Sequence, residues 1–220
     1  MLHVAIYTHF RPLAFKENGR LKGVDVDILR LFAKQQGLRV KFHQHNTFDK
    51  VWLEVLNGQI DVAAGGIGRM PAREHPHIEW SQPYMKVQRT IVVNPKCWNG
   101  RHRGKTIRGT PGSVGWLDMV AMASVAKLEP GKSERQDIRD LLSCKIHGLM
   151  RGTISAMAII KRHPQLKMEQ PWETVVDVGP LGEVFCFPVS KESHLAEALS
   201  SFLTHMQASG DLDRIIKKYI

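Results

Sequence analysis

The chain of 220 residues, 43% hydrophobic and 24% charged, is long enough for one large α/β domain or two small lobes, and its mixed composition without a low-complexity tract excludes a disordered protein. Lys and Arg outnumber Asp and Glu by 31 to 21, and the resulting +10 suits nucleic acid, an anionic membrane face or small anionic ligands. The longest apolar stretches fall far short of the ~18 residues of a membrane span, and no basic segment followed by an apolar one opens the chain.

Taken in order, Leu2 to Tyr7 reads as a strand that turns out through Thr8-His9-Phe10-Arg11-Pro12 into Leu13-Ala14-Phe15. Asp25 precedes Ile28, Leu29, Phe32 and Ala33 at helical spacing, and Gly37 closes that helix. Leu38 to His43 is the next strand. Thr47 is placed to cap a helix with Val51, Trp52, Val55 and Leu56 on its apolar face, ended by Asn57-Gly58. A short apolar run, Ile60 to Ala64, then breaks into Gly65-Gly66-Ile67-Gly68, with Arg73 five residues beyond. Bare backbone at a strand end lets a ligand approach closely, and an arginine just past it holds a carboxylate through paired charge-assisted hydrogen bonds. Alternating strands and helices favour a parallel α/β layer with its ligand at the carboxyl ends of the strands.

From Thr90 the chain is extended to Asn94-Pro95. The densest basic run, Arg101-His102-Arg103-Gly104-Lys105, has Trp98 as its nearby aromatic and no recognisable nucleic-acid module, so it reads as a solvated basic turn. Lys105 to Arg108 is a weak strand, and Gly109-Thr110-Pro111-Gly112-Ser113 opens a helix expected to bury Leu117, Val120, Ala121 and Val125. Its N-terminus is a plausible anion seat. A helix over Asp137 to Ser143, a strand over Ile146 to Met150 and a helix from Gly152-Thr153 follow. Leu56 to Gly66 and Leu142 to Gly152 share one pattern, helix into strand into glycine turn at equal spacing, as two similar lobes would generate. Leu166 to Met168, Val175 to Pro180 and a strand Glu183 to Phe187 lead to an amphipathic helix carrying Leu195, Leu199, Phe202, Leu203 and Met206. Gly210 stops it before a short terminal helix. Extended segments near Ile91 to Val93 and near Asp177 to Gly182 serve as the two hinge crossings.

Several constellations carry less. Cys97, Cys144 and Cys186 have no zinc-ligand spacing, and one disulfide plus a free thiol is one arrangement open to them. His43-Gln44-His45 and His75-Pro76-His77 lack further ligands at convincing spacing, so no metal is expected. Met119, Met122, Met150 and Met157 read as core filling rather than a cofactor box, and no cofactor is expected. Gly66-Ile67-Gly68 lacks the rest of a dinucleotide or phosphate loop, and Ser113 and Ser155 have no nucleophile-elbow context.

Pro12-Leu13-Ala14-Phe15, Gly23-Val24-Asp25-Val26-Asp27, Asn57-Gly58-Gln59-Ile60-Asp61, Gly65-Gly66, Arg73, Trp80-Ser81-Gln82-Pro83-Tyr84 and Gly210-Asp211-Leu212 come in one order. Together they resemble the extracellular solute-binding proteins of polar amino-acid ABC transporters, family 3, over nearly the whole chain. The resemblance implies the type II periplasmic-binding-protein fold. In it two α/β lobes joined by two hinge strands, residues 1–92 with 183–220 and residues 93–182, close on a ligand. It implies a monomer outside the cytoplasm, periplasmic or extracellular, with its signal peptide absent from this sequence. Its partners would be a small carboxylate-bearing molecule and a membrane ABC permease, not nucleic acid.

Carried over residue by residue, Arg73 falls at the clamp for the ligand's α-carboxylate, Gly66 at a carbonyl that receives the α-ammonium, and Phe10 and Phe15 near the aromatic walls. Gly112-Ser113 falls at the helix start that faces the ligand. Gly68 stands where a Ser or Thr donor is usual, Val114 where a Thr is, and Gly152 where an Asp takes the ammonium. Arg11, Arg69 and Arg151 lie in the same neighbourhood. They suggest a ligand with more negative charge and no ammonium, such as a dicarboxylate; the alternative is that they are paired with Asp and Glu. The chain is read as a binding protein and not an enzyme. Two rivals share the fold, a cyclohexadienyl or arogenate dehydratase and the sensing domain of a membrane receptor, and Ser155 standing where the dehydratases place a Glu argues against the first.

Overall fold

The computed structural model describes residues 1–121, 126–170 and 176–220. The chain divides into two compact units, Met1–Lys86 with Asp177–Ile220, and Val87–Val176. Val125, Val175 and Met122, assigned above to a helix face, an extended segment and the core, lie outside the described residues.

The first unit begins with β1 (Leu2–Tyr7), the hairpin strands β2 (His9–Phe10), β3 (Ala14–Glu17) and β4 (Arg20–Lys22), helix α1 (Val24–Gln35) and β5 (Val40–His45). Strands β6 (Val62–Ala64), β7 (Ile78–Trp80) and β8 (Met85–Lys86) follow. Its main sheet, completed by a late strand described below, is built round β1 and β6. Val4, Ala5 and Ile6 have no exposed surface, as expected for parallel strands covered on both faces, and β1 pairs in parallel with β5 and β6. Helix α1 buries Ile28, Leu29, Phe32 and Ala33, the predicted stripe, together with Val24, Asp25 and Val26. Its start requires Gly23: at φ 134° a Cβ there would lie 2.1 Å from the Leu13 carbonyl oxygen.

The segment after Thr47 departs from expectation. Lys50 adopts a left-handed conformation and Val51–Leu56 is a 3-10 turn, with the Val51 N–H bonded to the Phe48 carbonyl. The reversal at Lys50 separates Thr47 from the first turn it was expected to cap. Val51 and Val55 are nonetheless buried, so the apolar pattern is satisfied by a tighter helix.

The second unit runs β9 (Arg89–Val93), β10 (Thr106–Gly109), α2 (Val114–Ala121), β11 (Lys127–Pro130), α3 (Glu134–Leu142), β12 (Gly148–Gly152), α4 (Thr153–Arg162) and β13 (Lys167–Glu169). The chain returns to the first unit with β14 (Val184–Phe185), β15 (Pro188–Ser190), α5 (Ala196–Ser209) and α6 (Asp211–Tyr219). Strand order is β5-β1-β6-β15-β7 in the first unit and β11-β10-β12-β9-β13 in the second. In each, three parallel strands are followed by antiparallel additions, and β6 and β12, the strands of the repeated pattern, are central. Strand β9 pairs with both β12 and β13, so Ile91 to Val93 forms an interior strand of the second unit's sheet and not a connector. The reading that put a boundary after residue 92 cut through this strand; the compact units divide before it, between Lys86 and Val87.

Helix α2 also turns a different face inward. It buries Val114, Gly115, Asp118 and Met119, while Leu117 and Val120 are exposed. A Cβ on Gly115 would lie 2.6 Å from Met150, so this glycine is where the helix meets the sheet, and Asp118 is buried in an ion pair with Arg89. Apolar spacing alone ranks Leu117 above Gly115, yet close approach and charge pairing set the rotation. Met119 and Met150 fill the core beside Ile91 and Ile107, whereas Met157 is exposed.

A disulfide joins Cys97 to Cys144, and Cys186 is a buried free thiol. The bond spans 47 residues and links the segment after β9 to the turn between α3 and β12. Closing a loop of this length in the unfolded chain is worth roughly 4 kcal/mol in the chain-entropy account. Cys97→Ser with Cys144→Ser is therefore expected to lower the urea midpoint of the second unit, by about 2–4 kcal/mol in stability. An unchanged midpoint in the double variant would show that the bond constrains nothing the fold needs.

Candidate functional site

In the first unit the glycine turn after β6 is fixed from behind. Gly65 and Gly66 have φ of 113° and 72°, and both N–H groups donate to Oδ2 of Asp25 at 2.8 and 2.9 Å. The other carboxylate oxygen accepts from the Tyr84 hydroxyl at 2.8 Å. Asp25 has no exposed surface, so α1, the turn and the Tyr84 segment are tied at one buried charge. Burial pushes its carboxyl up to about 6 despite the two backbone donors and the phenol, all of which favour the ionised form.

The front of the turn is shaped by Phe10. A Cβ on Gly66 would lie 2.4 Å from the Phe10 ring, so ring and bare backbone are in contact, and the ring's edge meets Phe185 with centroids 6.0 Å apart. Gly68 bridges Phe185, and its carbonyl accepts from Nη1 of Arg73 at 2.6 Å. The Arg73 guanidinium lies 4.3 Å from the centroid of Trp52 and 5.6 Å from that of Phe48. Arg73 is buried, which lowers it to about 10 while Asp49 opposes the shift, so it stays cationic at neutral pH. The structure thus brings together Gly66, Gly68, Phe10 and Arg73.

Phe15 is elsewhere. Phe10 pairs with Ala14 and His9 with Phe15, and neighbouring residues of a strand point to opposite faces, so the two rings leave the hairpin on opposite sides. Phe15 carries the Arg11 guanidinium at 3.5 Å and meets Tyr219 of α6 at 5.9 Å. Arg11 pairs with Glu17, and Arg69 with Glu74 at 2.8 Å.

In the second unit, the Ser113 hydroxyl accepts from the Trp116 N–H at 3.1 Å and so caps α2, and Gly112 turns the chain at φ 79°. Gly152 ends β12 and precedes α4, where no side chain is available to take an ammonium. Arg151 beside it donates to the Met150 carbonyl and to Asp137 at 3.4 Å. Asp137 also receives Arg108, which in turn reaches Asp140 and Glu129, so Arg151 belongs to a buried ion-pair network. Arg11, Arg69 and Arg151 therefore each have a carboxylate partner within their own unit.

Reasoning from sequence missed Asp25 as the support of the turn and Trp52 and Phe48 as the rings under Arg73. The signal for Asp25 was an acid inside the apolar start of a helix, which a surface helix would not bury. Trp52 was assigned to a generic apolar face.

A family model described as bacterial extracellular solute-binding proteins, family 3, matches residues 2–220. The chain belongs to this family. A probable histidine-binding protein of Campylobacter jejuni is 22% identical to this solute-binding protein, over 99% of the chain and 84% of the relative. Among solved structures, an ancestral arginine-binding protein bound to arginine is 25% identical with a TM-score of 0.83, covering 100% of the chain and 97% of its own. A substrate-binding protein of an amino-acid ABC transporter from Streptococcus pneumoniae, bound to L-arginine, is 20% identical with a TM-score of 0.84, covering 99% and 93%. The fold is that of type II periplasmic binding proteins.

Because the folded protein keeps the Asp25 proton up to about pH 6, while the unfolded chain releases it near pH 4, raising the pH through that window costs stability. The unfolding free energy of the wild type minus that of Asp25→Asn is expected to fall by about 1.4 kcal/mol per pH unit across it and to level off above. Urea titrations at a series of pH values check this, and a difference that rises with pH would contradict the assignment.

Proposed function

We propose that this protein captures a small carboxylate-bearing solute of the amino-acid class outside the cytoplasm and presents it to a membrane ABC permease, without catalysis. The observation that carries the reading is the Arg73 guanidinium, buried beside the Gly68 carbonyl and held on Trp52 and Phe48. A cation kept charged in that setting and fixed in orientation loses little entropy on meeting a planar carboxylate, the geometry guanidinium suits best. The Gly66 backbone and Phe10 beside it supply carbonyl and ring to the same ligand. The arginine- and histidine-binding relatives support the amino-acid class.

One feature favours a second reading, a carboxylate ligand without an ammonium. Gly152 has no acid to offer where the amino-acid binders place one. Arg11, Arg69 and Arg151 lend that reading nothing, since they are paired with Glu17, Glu74 and Asp137. Nothing in the geometry favours the dehydratase: Ser155, at the position of its acid, is buried in α4.

Isothermal titration with L-arginine, L-histidine and succinate separates these. An amino acid is expected to bind, with Arg73→Ala weakening it on the order of 100-fold and Trp52→Leu about 10-fold. Succinate binding in place of both amino acids would favour the second reading, and affinity unchanged in Arg73→Ala would overturn the assignment of the clamp.

A further inference from the structure

The basic run that the binding function leaves unused sits in a lopsided distribution of charge. Residues 87–176 contain fifteen Lys and Arg against seven Asp and Glu, a net of +8, while the first unit carries sixteen against fourteen, a net of +2. Between Glu79 and Asp118 the sequence has no acidic residue and seven Lys and Arg. Two of these, Arg89 and Arg108, are consumed in buried ion pairs. The others of this stretch that lie in the second unit are Lys96, Arg101, Arg103 and Lys105.

The fold gathers them. The Cys97–Cys144 disulfide places Lys96 and Lys145, each the immediate neighbour of a bonded cysteine, at one locus. Lys105 is drawn to the same place by donating from Nζ to the Cys97 carbonyl at 2.9 Å. Lys96, Arg101, Arg103 and Lys145 are exposed and Lys105 is half-buried. Against this, five of the second unit's six described carboxylates, Asp118, Glu129, Glu134, Asp137 and Asp140, are paired with Arg89, Arg108, Arg151, Arg162 and Lys127. Lys96, Arg101, Arg103, Lys105 and Lys145 thus gather at this turn, while Lys132, Arg135, Arg139, Lys161 and Lys167 are spread over α3, α4, β13 and the segment before α3.

We propose that the surface around the Cys97–Cys144 disulfide is a docking face for an anionic phospholipid bilayer. Dispersed, exposed cations on a turn suit a diffuse field of phosphates rather than one fixed anion. The nearest aromatic, Trp98, packs on the core of Ile91, Val93 and Ile107 and meets His102 edge-on, so it is committed to the fold and not offered for base stacking. A solute-binding protein that works beside a membrane permease gains from being held near that membrane, because confinement raises its effective concentration there. Each cation near an anionic surface contributes about five-fold in partitioning, and salt screens the effect.

Sedimentation with phosphatidylcholine vesicles, with and without phosphatidylglycerol, tests the proposal. The wild-type chain is expected to bind the anionic vesicles at low salt and not the neutral ones. Combined Lys96→Gln, Arg101→Gln, Arg103→Gln and Lys145→Gln should weaken that binding on the order of 100-fold or more, with an unchanged thermal midpoint and unchanged solute titration. Swapping Lys for Arg and Arg for Lys at the same positions should preserve it. No binding to anionic vesicles, equal binding by the neutralised variant, or duplex DNA bound more tightly than vesicles would each overturn it.

Discussion

The Asp25 carboxylate, buried where α1 starts and bonded to Gly65, Gly66 and Tyr84, is the constraint on which the first unit's site depends. Glycine turns are cheap to bend, and this one contains two successive left-handed residues, so its geometry must be imposed from outside. One oxygen of Asp25 accepts both N–H groups of the turn, and the other accepts a phenol on another segment. Gly23 at φ 134° lets α1 begin close enough to Leu13 for the carboxylate to reach. Once the turn is set, Gly66 meets Phe10 and the Gly68 carbonyl faces Arg73.

Arg73 illustrates how a buried cation is kept charged. Desolvation lowers its pKa to about 10, yet that leaves it charged, and the rings of Trp52 and Phe48 offer it electron-rich faces without a permanent negative charge. Arg11, Arg69, Arg108 and Arg151 are each engaged by Asp or Glu and so contribute to local structure.

Much of this was legible in the chain. The repeated pattern ending at Gly66 and Gly152 marks the central strands of two sheets with matching order, although Gly66 lies in the left-handed turn after β6 whereas Gly152 is the extended last residue of β12. That Arg73 lies close to its glycine neighbours was legible because they are near in sequence and the glycine run marks a strand end. What periodicity could not reach was rotation and partnership. The α2 face is set by Gly115 and Asp118, the 3-10 turn by Lys50, and the ion pairs of Arg11, Arg69 and Arg151 by residues from five to fourteen positions away. Phe10 and Phe15 look equivalent in sequence, yet strand alternation sends them to opposite faces.

The central claim is that Arg73 holds the carboxylate of a captured solute. Native mass spectrometry of the purified protein, followed by denaturation and identification of what is released, tests it most directly. A stoichiometric carboxylate-bearing amino acid, absent from the Arg73→Ala protein prepared in the same way, is the result the account predicts. A released solute without a carboxylate, or one retained equally by Arg73→Ala, would contradict it.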